Sequence, residues 1–380
     1  MSGGQVVGKK MGGKVLEQLL LRFRHQAKTV RSDISAIART PDGHLWIGSD
    51  ELTSIERLSA TDNHEYSQHQ QYALSEYLDL RDTQSEVDIE GLDYSDGYLW
   101  LVGSHSSKRK RAKGKDAQQD IQRLLKITQD ANRYLLGRIP LVNGEPVVVD
   151  DFSARSAASL RRCGEESELI HILREDEHIG PFLEINLPSK DNGFDIEALA
   201  ARGHQLFLGL RGPVLRGMAI ILEIEVEASE EPGVLQLKQL ENNRKYRKHF
   251  VDLNGLGVRD LCFQGEDLIV LAGPTMQLSC PMQLFRFRQV FSHCQDTLWL
   301  RSPDTLIKLF DLPWVKGADN AEGITLFPNS GSKEGDLKQR DHRKNSCETG
   351  LLVVYDSPSD QRLKNKGTAI LADVFQLPLR

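Results

Sequence analysis

The chain has 380 residues, of which 39% are hydrophobic and 27% charged, enough for one large all-β domain or two ordinary domains. Its net charge of −6 argues against a surface devoted to nucleic acid or an anionic membrane, so neither is expected as a partner. The first thirty residues lack an apolar core of the signal-peptide type, and no segment approaches the roughly 18 apolar residues of a membrane span. The five cysteines are scattered and form no CxxC pair, which is typical of free thiols in a reducing compartment. A soluble cytoplasmic protein is therefore expected.

After a tail at residues 1–20, one pattern recurs along the chain: alternating polar and apolar residues, a turn with Gly or Asp, and an apolar run. Period-two alternation followed by such a turn predicts a β-hairpin. The fifth copy is interrupted by a polar insert at 330–349, and the second is followed by another at 105–120. The copies lie at residues 33–50, 88–105, 195–212, 258–274 and 321–331 with 351–358.

The spacing of the copies predicts the architecture. Asp33 and Asp88 are 55 residues apart, Asp195 and Arg259 are 64 apart, and Arg259 and Glu322 are 63 apart. Asp88 and Asp195 are 107 residues apart, close to two periods, which predicts a degenerate copy within residues 140–180. Repeats near fifty residues with several strands each are typical of a β-propeller. We expect an all-β, single-domain propeller of six blades over residues 21–380, one of them degenerate.

Further strands are predicted between the hairpins. The degenerate copy would use strands at 145–151 and 168–175 and a short helix at 154–163. A last strand at 368–377 is predicted to close the ring against N-terminal residues. Two β-sandwiches would not explain the constant period, and an α/β fold would need long helices for which there is little room. The other predicted strands lie at 53–59, 122–128, 219–226 and 282–288.

Carboxylates begin several of the predicted first strands, and in a propeller these strands line the central channel. Alternation places Asp88 and Glu90 on one face, and likewise Asp195 and Glu197. Several acids on one axis repel one another unless a cation compensates. Oxygen ligands without histidine favour Ca²⁺, or Mg²⁺ or Mn²⁺, over zinc. The predicted metal ligands are Asp88, Glu90, Asp195, Glu197 and Glu322; the alternative is a purely structural hydrogen-bonding network, which would also include Asp33 and Asp260.

Other candidate residues flank these strands. His105 follows an apolar strand and could act in acid–base chemistry, the alternative being a solvated loop histidine. Arg211 and Arg216 flank a Gly-Pro turn and, with Arg259, could bind an anionic substrate; the alternative is that they bridge neighbouring blades. The basic runs at 108–115 and 244–249 are interpreted as solvated loops, because the first has no aromatic residues for base stacking.

Seven motifs in order resemble those of a bacterial family of unknown function, DUF3616, over roughly residues 20–380. More distantly, the DIEG-type strand starts are similar to esterase-like phytase propellers, which bind calcium and act on ester or phosphoester substrates. The chain departs from that pattern at Ala198, which replaces Gly, and at Ser35, which stands at a Glu position. The motifs are DIEGL at 88–92, GSHS at 103–106, NGFDIEAL at 192–199, GLRGPVLRG at 209–217, GVRDL at 257–261, AEGI at 321–324 and VVYDSP at 353–358.

Two functions are compatible with these observations. The first is a divalent-cation-dependent hydrolase of phosphorylated or ester substrates, with Glu90, Glu197 and His105 as catalytic residues and a small anionic substrate held by Arg211, Arg216 and Arg259. The second is a non-enzymatic propeller that binds a ligand or a protein partner. Propellers host both, so the fold alone does not decide between them.

Overall fold

The computed structural model describes residues 12–24, 32–62, 64–83, 85–276, 278, 280–328 and 349–379. Nearly all of the predicted insert at 330–349 lies outside the described residues, as does Cys347. The other four cysteines, Cys163, Cys262, Cys280 and Cys294, are free thiols.

Short strands account for most of the described chain. In the N-terminal part they are β1 Val15–Arg22, β2 Ile34–Arg39, β3 Leu45–Ser49, β4 Ser54–Asp62, β5 Glu65–Ala73, β6 Ile89–Ser95, β7 Tyr98–Gly103, β8 Lys108–Arg109, β9 Ile127–Thr128, β10 Leu136–Val142, β11 Glu145–Pro146, β12 Val149–Asp150, β13 Arg155–Ser156, β14 Ala158–Leu160, β15 Arg162–Cys163 and β16 Glu166–Ser167. In the C-terminal part they are β17 Asp195–Arg202, β18 Gln205–Gly212, β19 Met218–Ala228, β20 Val234–Leu237, β21 Tyr246–Asp252, β22 Gly257–Gln264, β23 Asp267–Gly273, β24 Gln283–Phe287, β25 Thr297–Trp299, β26 Leu306–Asp311, β27 Asn320–Pro328, β28 Thr349–Asp356, β29 Leu363–Lys364 and β30 Ala369–Gln376.

Helices are few and short. The α-helices are α1 Ala117–Leu124, α2 Glu168–Leu173 and α3 Gly180–Glu184, and the 3₁₀ turns are Leu74–Glu76, Ala131–Tyr134, Ser189–Asp191, Glu241–Asn243, Val290–Ser292 and Asn365–Gly367. No helix in the described part of the chain is long and apolar enough to cross a membrane.

The strands form five antiparallel four-stranded blades. In order from the axis outward they are β2-β3-β4-β5, β6-β7-β10-β14, β17-β18-β19-β21, β22-β23-β24-β26 and β27-β28-β30-β1. The inner strands pack side by side in a closed cycle, with β2 against β6, β6 against β17, β17 against β22, β22 against β27, and β27 back against β2. This closed arrangement is a β-propeller, which confirms the predicted fold class.

The prediction of six blades is wrong for the described residues, because the segment at 140–180 contributes no inner strand. Residues 136–160 instead complete the second blade through β10 and β14. The predicted strand at 168–175 is helix α2, and the predicted helix at 154–163 is a series of two- and three-residue strands. The long interval between the second and third copies therefore holds an insertion at the blade edge.

Closure of the ring by the chain termini is confirmed. Strand β1 pairs antiparallel with β30 from Val15 to Arg22, and so supplies the outer strand of the fifth blade. Leu19 and Leu21 of β1 are completely buried. Strand β1 belongs to the ring and begins at Val15. The predicted tail at 1–20 is therefore too long, because residues 15–20 are part of the propeller.

The apolar runs of the second strands are explained by the burial of both blade faces. Along β3, Leu45 and Ile47 pack in the core between the first and fifth blades, whereas Trp46 points into the core between the first and second. Strand β23 repeats the alternation, with Leu268 and Val270 facing the third blade and Ile269 facing the fifth. Five apolar clusters, one at each junction, thus hold the described blades together.

Two other local predictions need correction. The run at 244–249, interpreted as a solvated insert, enters β21, and Lys248 and His249 are buried there against Asp176 and Glu223. Within the predicted strand at 122–128, residues 122–124 are the end of helix α1, and only Ile127–Thr128 form a strand, β9. Strands at 53–59, 219–226 and 282–288 are confirmed as β4, β19 and β24.

Candidate functional site: the axial cavity

A β-bulge occurs at the same position in all five inner strands. The register shifts between Ile34 and Ala36, and at the corresponding places in the other four strands. A bulge leaves one residue unpaired and redirects its side chain. The bulged residues all line one axial cavity, and they are Ser35, Glu90, Glu197, Arg259 and Glu322.

Small residues follow four of the bulges, because neighbouring inner strands approach closely there. A Cβ on Gly91 would lie 2.8 Å from the backbone nitrogen of Leu199 on the next blade. In β22, the inner strand of the fourth blade, Asp260 takes this position. Its carboxylate accepts hydrogen bonds from the backbone N–H groups of Leu261 and, at 2.6 Å, Ile324. The position after the bulge therefore sets the spacing between blades, and the Gly residues of the EG dipeptides serve this purpose.

The cavity has a volume of about 510 Å³ and is lined by charge of both signs. Its position explains why carboxylates begin the inner strands: they face the shared axis instead of an apolar core. The acidic lining residues are Asp33, Asp50, Glu51, Asp88, Glu90, Asp195, Glu197, Glu322 and Asp356, and the basic ones are Lys108, Arg109, Arg111, Arg133, Lys190, Arg211 and Arg259.

On one side of the cavity, arginines compensate the acids. Arg211 Nη1 lies 2.6 Å from Glu197 Oε1 and 3.8 Å from Asp195 Oδ2. Arg259 Nη1 lies 2.8 Å from Glu197 Oε2, and its Nη2 pairs with Glu322. Three predicted metal ligands are thus already held by guanidinium groups, which occupy carboxylate lone pairs and offset the charge that a metal would otherwise neutralise.

Asp88 is also paired. Arg133 Nη2 contacts its Oδ2, and Lys108 Nζ lies 3.0 Å from its Oδ1. Burial opposes ionisation of Asp88, but these two cations outweigh it and hold the pKa of Asp88 below its usual value. Lys108 belongs to the basic run interpreted as a solvated loop, so that interpretation is wrong for this residue.

Two carboxylates beside Asp88 differ from the acids that arginines hold. Asp50 Oδ1 is buried without a hydrogen-bond partner, and no ion pair to Glu90 is found in the described part of the chain. One carboxylate oxygen each of Asp50, Asp88 and Glu90 lies within 4.8 Å of the other two. Burial, reinforced by Asp88, raises the pKa of Asp50 to about 8, and burial with the charges of Asp88 and Glu197 raises that of Glu90 well above its usual value. This cluster, the acidic triad, could bind a metal ion.

Two further acids have raised pKa values. Burial, with the charge of Glu197, raises the pKa of Asp195 to about 8 despite the proximity of Arg211. Burial raises that of Glu322 to about 7 against the opposing effect of Arg259. The cavity therefore combines carboxyl groups that hold a proton near neutral pH with Asp88, whose pKa Arg133 and Lys108 lower.

Not all predicted site residues reach the cavity. His105 is buried and lines a different cavity, beside Tyr134 and Phe182, so the structure does not place it with the axial carboxylates. Arg216 is exposed, with a left-handed φ of 48°, and does not line the axial cavity. Arg211 and Arg259 do line it, but as partners of carboxylates.

Sequence reasoning missed Asp50 and Arg133. Asp50 directly follows the second strand of its hairpin, in IGSD, where its carboxylate meets the bulged residue of the next blade. A carboxylate directly after the second strand of a hairpin is therefore the sequence signal that could have identified Asp50. Arg133 lies in a 3₁₀ turn after an insertion, and nothing in the repeat pattern points to it.

The fold and cavity define a β-propeller with a charged axial cavity. The family model for "Protein of unknown function (DUF3616)" matches residues 33–373, so the chain belongs to that family. No curated protein matches the sequence.

Solved structures resemble the chain only distantly. The α-L-arabinofuranosidase of Podospora anserina is 8% identical, with a TM-score of 0.44 and coverage of 96% of this chain and 98% of its own. The virginiamycin B lyase of Staphylococcus aureus is 10% identical, with a TM-score of 0.36 and coverage of 95% and 99%. The aldose sugar dehydrogenase of Streptomyces coelicolor is 9% identical, with a TM-score of 0.35 and coverage of 96% and 100%. Similarity at this level says nothing about the reaction.

Proposed function

We propose that the acidic triad binds one divalent cation and that the protein uses it to hydrolyse a small phosphorylated or ester substrate. The observation that carries the proposal is that Asp50 and Glu90 lie within 4.8 Å of Asp88 but lack, in the described part of the chain, the cationic partners that Asp88, Asp195, Glu197 and Glu322 have. Two half-buried carboxylates within 4.8 Å of each other need either protons or a metal ion to offset their charge.

The donor set favours a hard cation. The described residues that line the cavity include neither His nor Cys, and carboxylate oxygens suit Ca²⁺, Mg²⁺ or Mn²⁺. With one oxygen from each residue, the three carboxylates supply fewer oxygens than the roughly six to eight that Ca²⁺ prefers, which leaves room for a substrate oxygen and water.

The exposed basic residues of the cavity would bind the anionic part of the substrate. Arg111 and Lys190 are exposed, unlike Arg133, Arg211 and Arg259, which are buried against carboxylates. Arg111 and Lys190 therefore replace Arg211, Arg216 and Arg259 in the substrate-binding role. A phosphate group would lie between these cations and the acidic triad.

The chemistry divides between the two sides of the cavity. When bound, the ion supplies Lewis-acid chemistry and makes water easier to deprotonate. Asp195 and Glu322, whose pKa values are raised to about 8 and about 7, can donate a proton to a leaving group near neutral pH. Glu197 pairs with Arg211 and Arg259. It thereby holds these two arginines beside the proton donors Asp195 and Glu322.

Thermal denaturation tests the metal site first. Ca²⁺, Mg²⁺ or Mn²⁺ at a hundredfold its dissociation constant should stabilise the protein by about 2.7 kcal/mol, and a chelator should reverse the effect. Asp50→Asn and Glu90→Gln should abolish it, whereas Glu51→Gln, an exposed acid of the same cavity, should not. A midpoint unchanged by all three ions contradicts the proposal. If an ion binds, p-nitrophenyl phosphate and p-nitrophenyl acetate test hydrolysis, with Glu90→Gln as the inactive control.

A binding propeller without catalysis is the second candidate. It is favoured by the position of His105 outside the cavity and by the arginines that already occupy Asp195, Glu197 and Glu322. Metal-dependent ligand binding without turnover would support it. Replacing the exposed Lys110, Lys113 and Lys115 with serine then tests whether the basic loop recruits a protein partner.

A further inference from the structure

A second cavity, which shares Ser106 with the axial cavity, lies between the second blade and the insertion that carries α2 and α3. Its volume is about 160 Å³. An engineered apolar cavity of about 150 Å³ holds benzene, so the space fits a ligand of about six or seven non-hydrogen atoms. Its walls include His105, Ser107, Tyr134, Phe182, Leu183 and Phe194.

His105 presents an unpaired hydrogen-bond acceptor in this region. The side chain is 2% exposed, and its Nδ1 lies 2.9 Å from the carbonyl oxygen of Gly103. Because a carbonyl only accepts, Nδ1 must carry the hydrogen, which leaves a lone pair on Nε2 of the neutral ring. Nε2 is buried without a partner. Burial also lowers the pKa of His105 to about 4, which keeps the ring neutral.

The histidine is held in a fixed orientation. Its backbone is in the left-handed region, with φ of 54°, and its ring meets that of Tyr134 edge-on at 5.7 Å between centroids. A rigid ring with one satisfied nitrogen is an arrangement suited to recognise a donor on a ligand.

Ser107 adds a second polar atom of the same kind. It is 4% exposed, and its Oγ is buried without a hydrogen-bond partner. Buried polar atoms normally have partners, so two such atoms without partners, on residues that line one cavity, need an explanation. A hydroxyl group can donate to His105 Nε2 and accept from Ser107, which satisfies both.

The rest of the lining argues against an anionic ligand. Arg174 lines the cavity, but its Nε lies 3.1 Å from Glu166 Oε2 and its Nη2 contacts Oε1 of the same carboxylate. The charges of Arg174 and Glu166 offset each other, and the third charged lining residue, the exposed Glu184, is an acid. Phe182, Leu183 and Phe194 supply apolar surface for a carbon skeleton.

We propose that this cavity binds a compact neutral alcohol, with a benzene-sized carbon skeleton against Phe182 and Phe194 and its hydroxyl group between His105 and Ser107. The proposal is independent of the metal site, because neither His105 nor Ser107 lines the axial cavity. A site built around a hydroxyl group discriminates against an analogue that lacks it, since the polar atoms of the site are then left unpaired.

Phenol and benzene form the matched pair of probes. Calorimetry should give one saturable phenol site per chain, at least about tenfold tighter than benzene. Ser107→Ala should remove most of this preference, and so should His105→Asn, in which Asn tolerates the left-handed backbone. Ser59→Ala, a buried serine of the first blade outside this cavity, should leave the preference unchanged.

A measurement on the unmodified protein covers the case in which a variant fails to fold. With ¹⁵N-labelled histidine, phenol should shift the Nε2 resonance of one buried, neutral Nδ1–H histidine, and benzene should not. The proposal is overturned if phenol does not saturate, if it binds no more tightly than benzene, or if no such histidine responds, as in a cavity that holds only water.

Discussion

Arg259 and Glu197 pair across a blade boundary, with Nη1 of the arginine 2.8 Å from Oε2 of the glutamate. Both are bulged residues of inner strands, on the fourth and third blades. Arg259 also pairs with Glu322 on the fifth blade, so one guanidinium joins three consecutive blades at the axis. The axial charges are therefore part of what holds the ring together.

Replacing Arg259 with methionine should lower the free energy of unfolding by about 3–5 kcal/mol near pH 7.5, because Glu197 and Glu322 lose a buried partner. Urea denaturation measures the change. The control is Arg202→Met, which breaks an exposed pair with Glu266 and should cost less than about 1 kcal/mol. Equal small losses in both variants would contradict a structural role for the axial arginine.

Asp93→Asn should alter how stability depends on pH. Burial raises the pKa of Asp93 to about 7, against about 3.9 in the unfolded chain. The folded state thus binds the proton more tightly, and stability is lost as pH rises from about 4 to about 7, by at most about 1.4 kcal/mol per pH unit.

Asparagine keeps an oxygen that can accept from the Ala201 N–H, now 2.8 Å from Asp93 Oδ2, but it does not ionise. Unfolding free energies at pH 5, 6, 7 and 8 should therefore fall less steeply in Asp93→Asn than in the unmodified protein. If the free energy of unfolding depended on pH equally in both proteins, the pKa of Asp93 would not be raised in the folded state.

Gly91→Ala tests the close packing of inner strands. The added Cβ would lie 2.8 Å from the Leu199 nitrogen and 2.9 Å from Val102 Cγ1, so the second and third blades must separate. We expect a loss of about 1–3 kcal/mol in denaturant unfolding. Gly12→Ala is the matched control, because no atom lies within 4 Å of its added Cβ. A neutral Gly91→Ala would mean that the blades are more loosely spaced.

Leu21→Ala tests closure of the ring by the N-terminal strand. Leu21 is completely buried between the fifth and first blades, and its truncation should cost about 2–5 kcal/mol. Val15 on the same strand is 39% exposed, so Val15→Ala should cost much less. If both variants unfold like the parent protein, β1 does not close the ring in solution.

The hairpins, the closure by β30 and the convergence of Glu90, Glu197 and Glu322 could be predicted from sequence. Each depends on a local period-two pattern repeated along the chain, which a propeller turns into a common axis. The blade count could not be predicted this way, because the insertion after β14 has the length of a blade without its hairpin pattern.

The pairing of the axial charges could not be predicted either. Lys108 in the two-residue strand β8 and Arg133 in a 3₁₀ turn both reach Asp88 from the segment between β7 and β10, whose path depends on tertiary packing. His105 was recognised as a candidate, but its left-handed backbone directs it away from the axis, and no repeat pattern encodes that turn.

Anomalous diffraction from crystals grown with Mn²⁺ tests the central claim most directly. We expect one anomalous peak within bonding distance of carboxylate oxygens of Asp50, Asp88 and Glu90, and its loss in Glu90→Gln. The absence of a peak at these residues at saturating Mn²⁺, with Asp50 and Glu90 instead joined by a shared proton, would contradict a metal-binding role for the axial cavity.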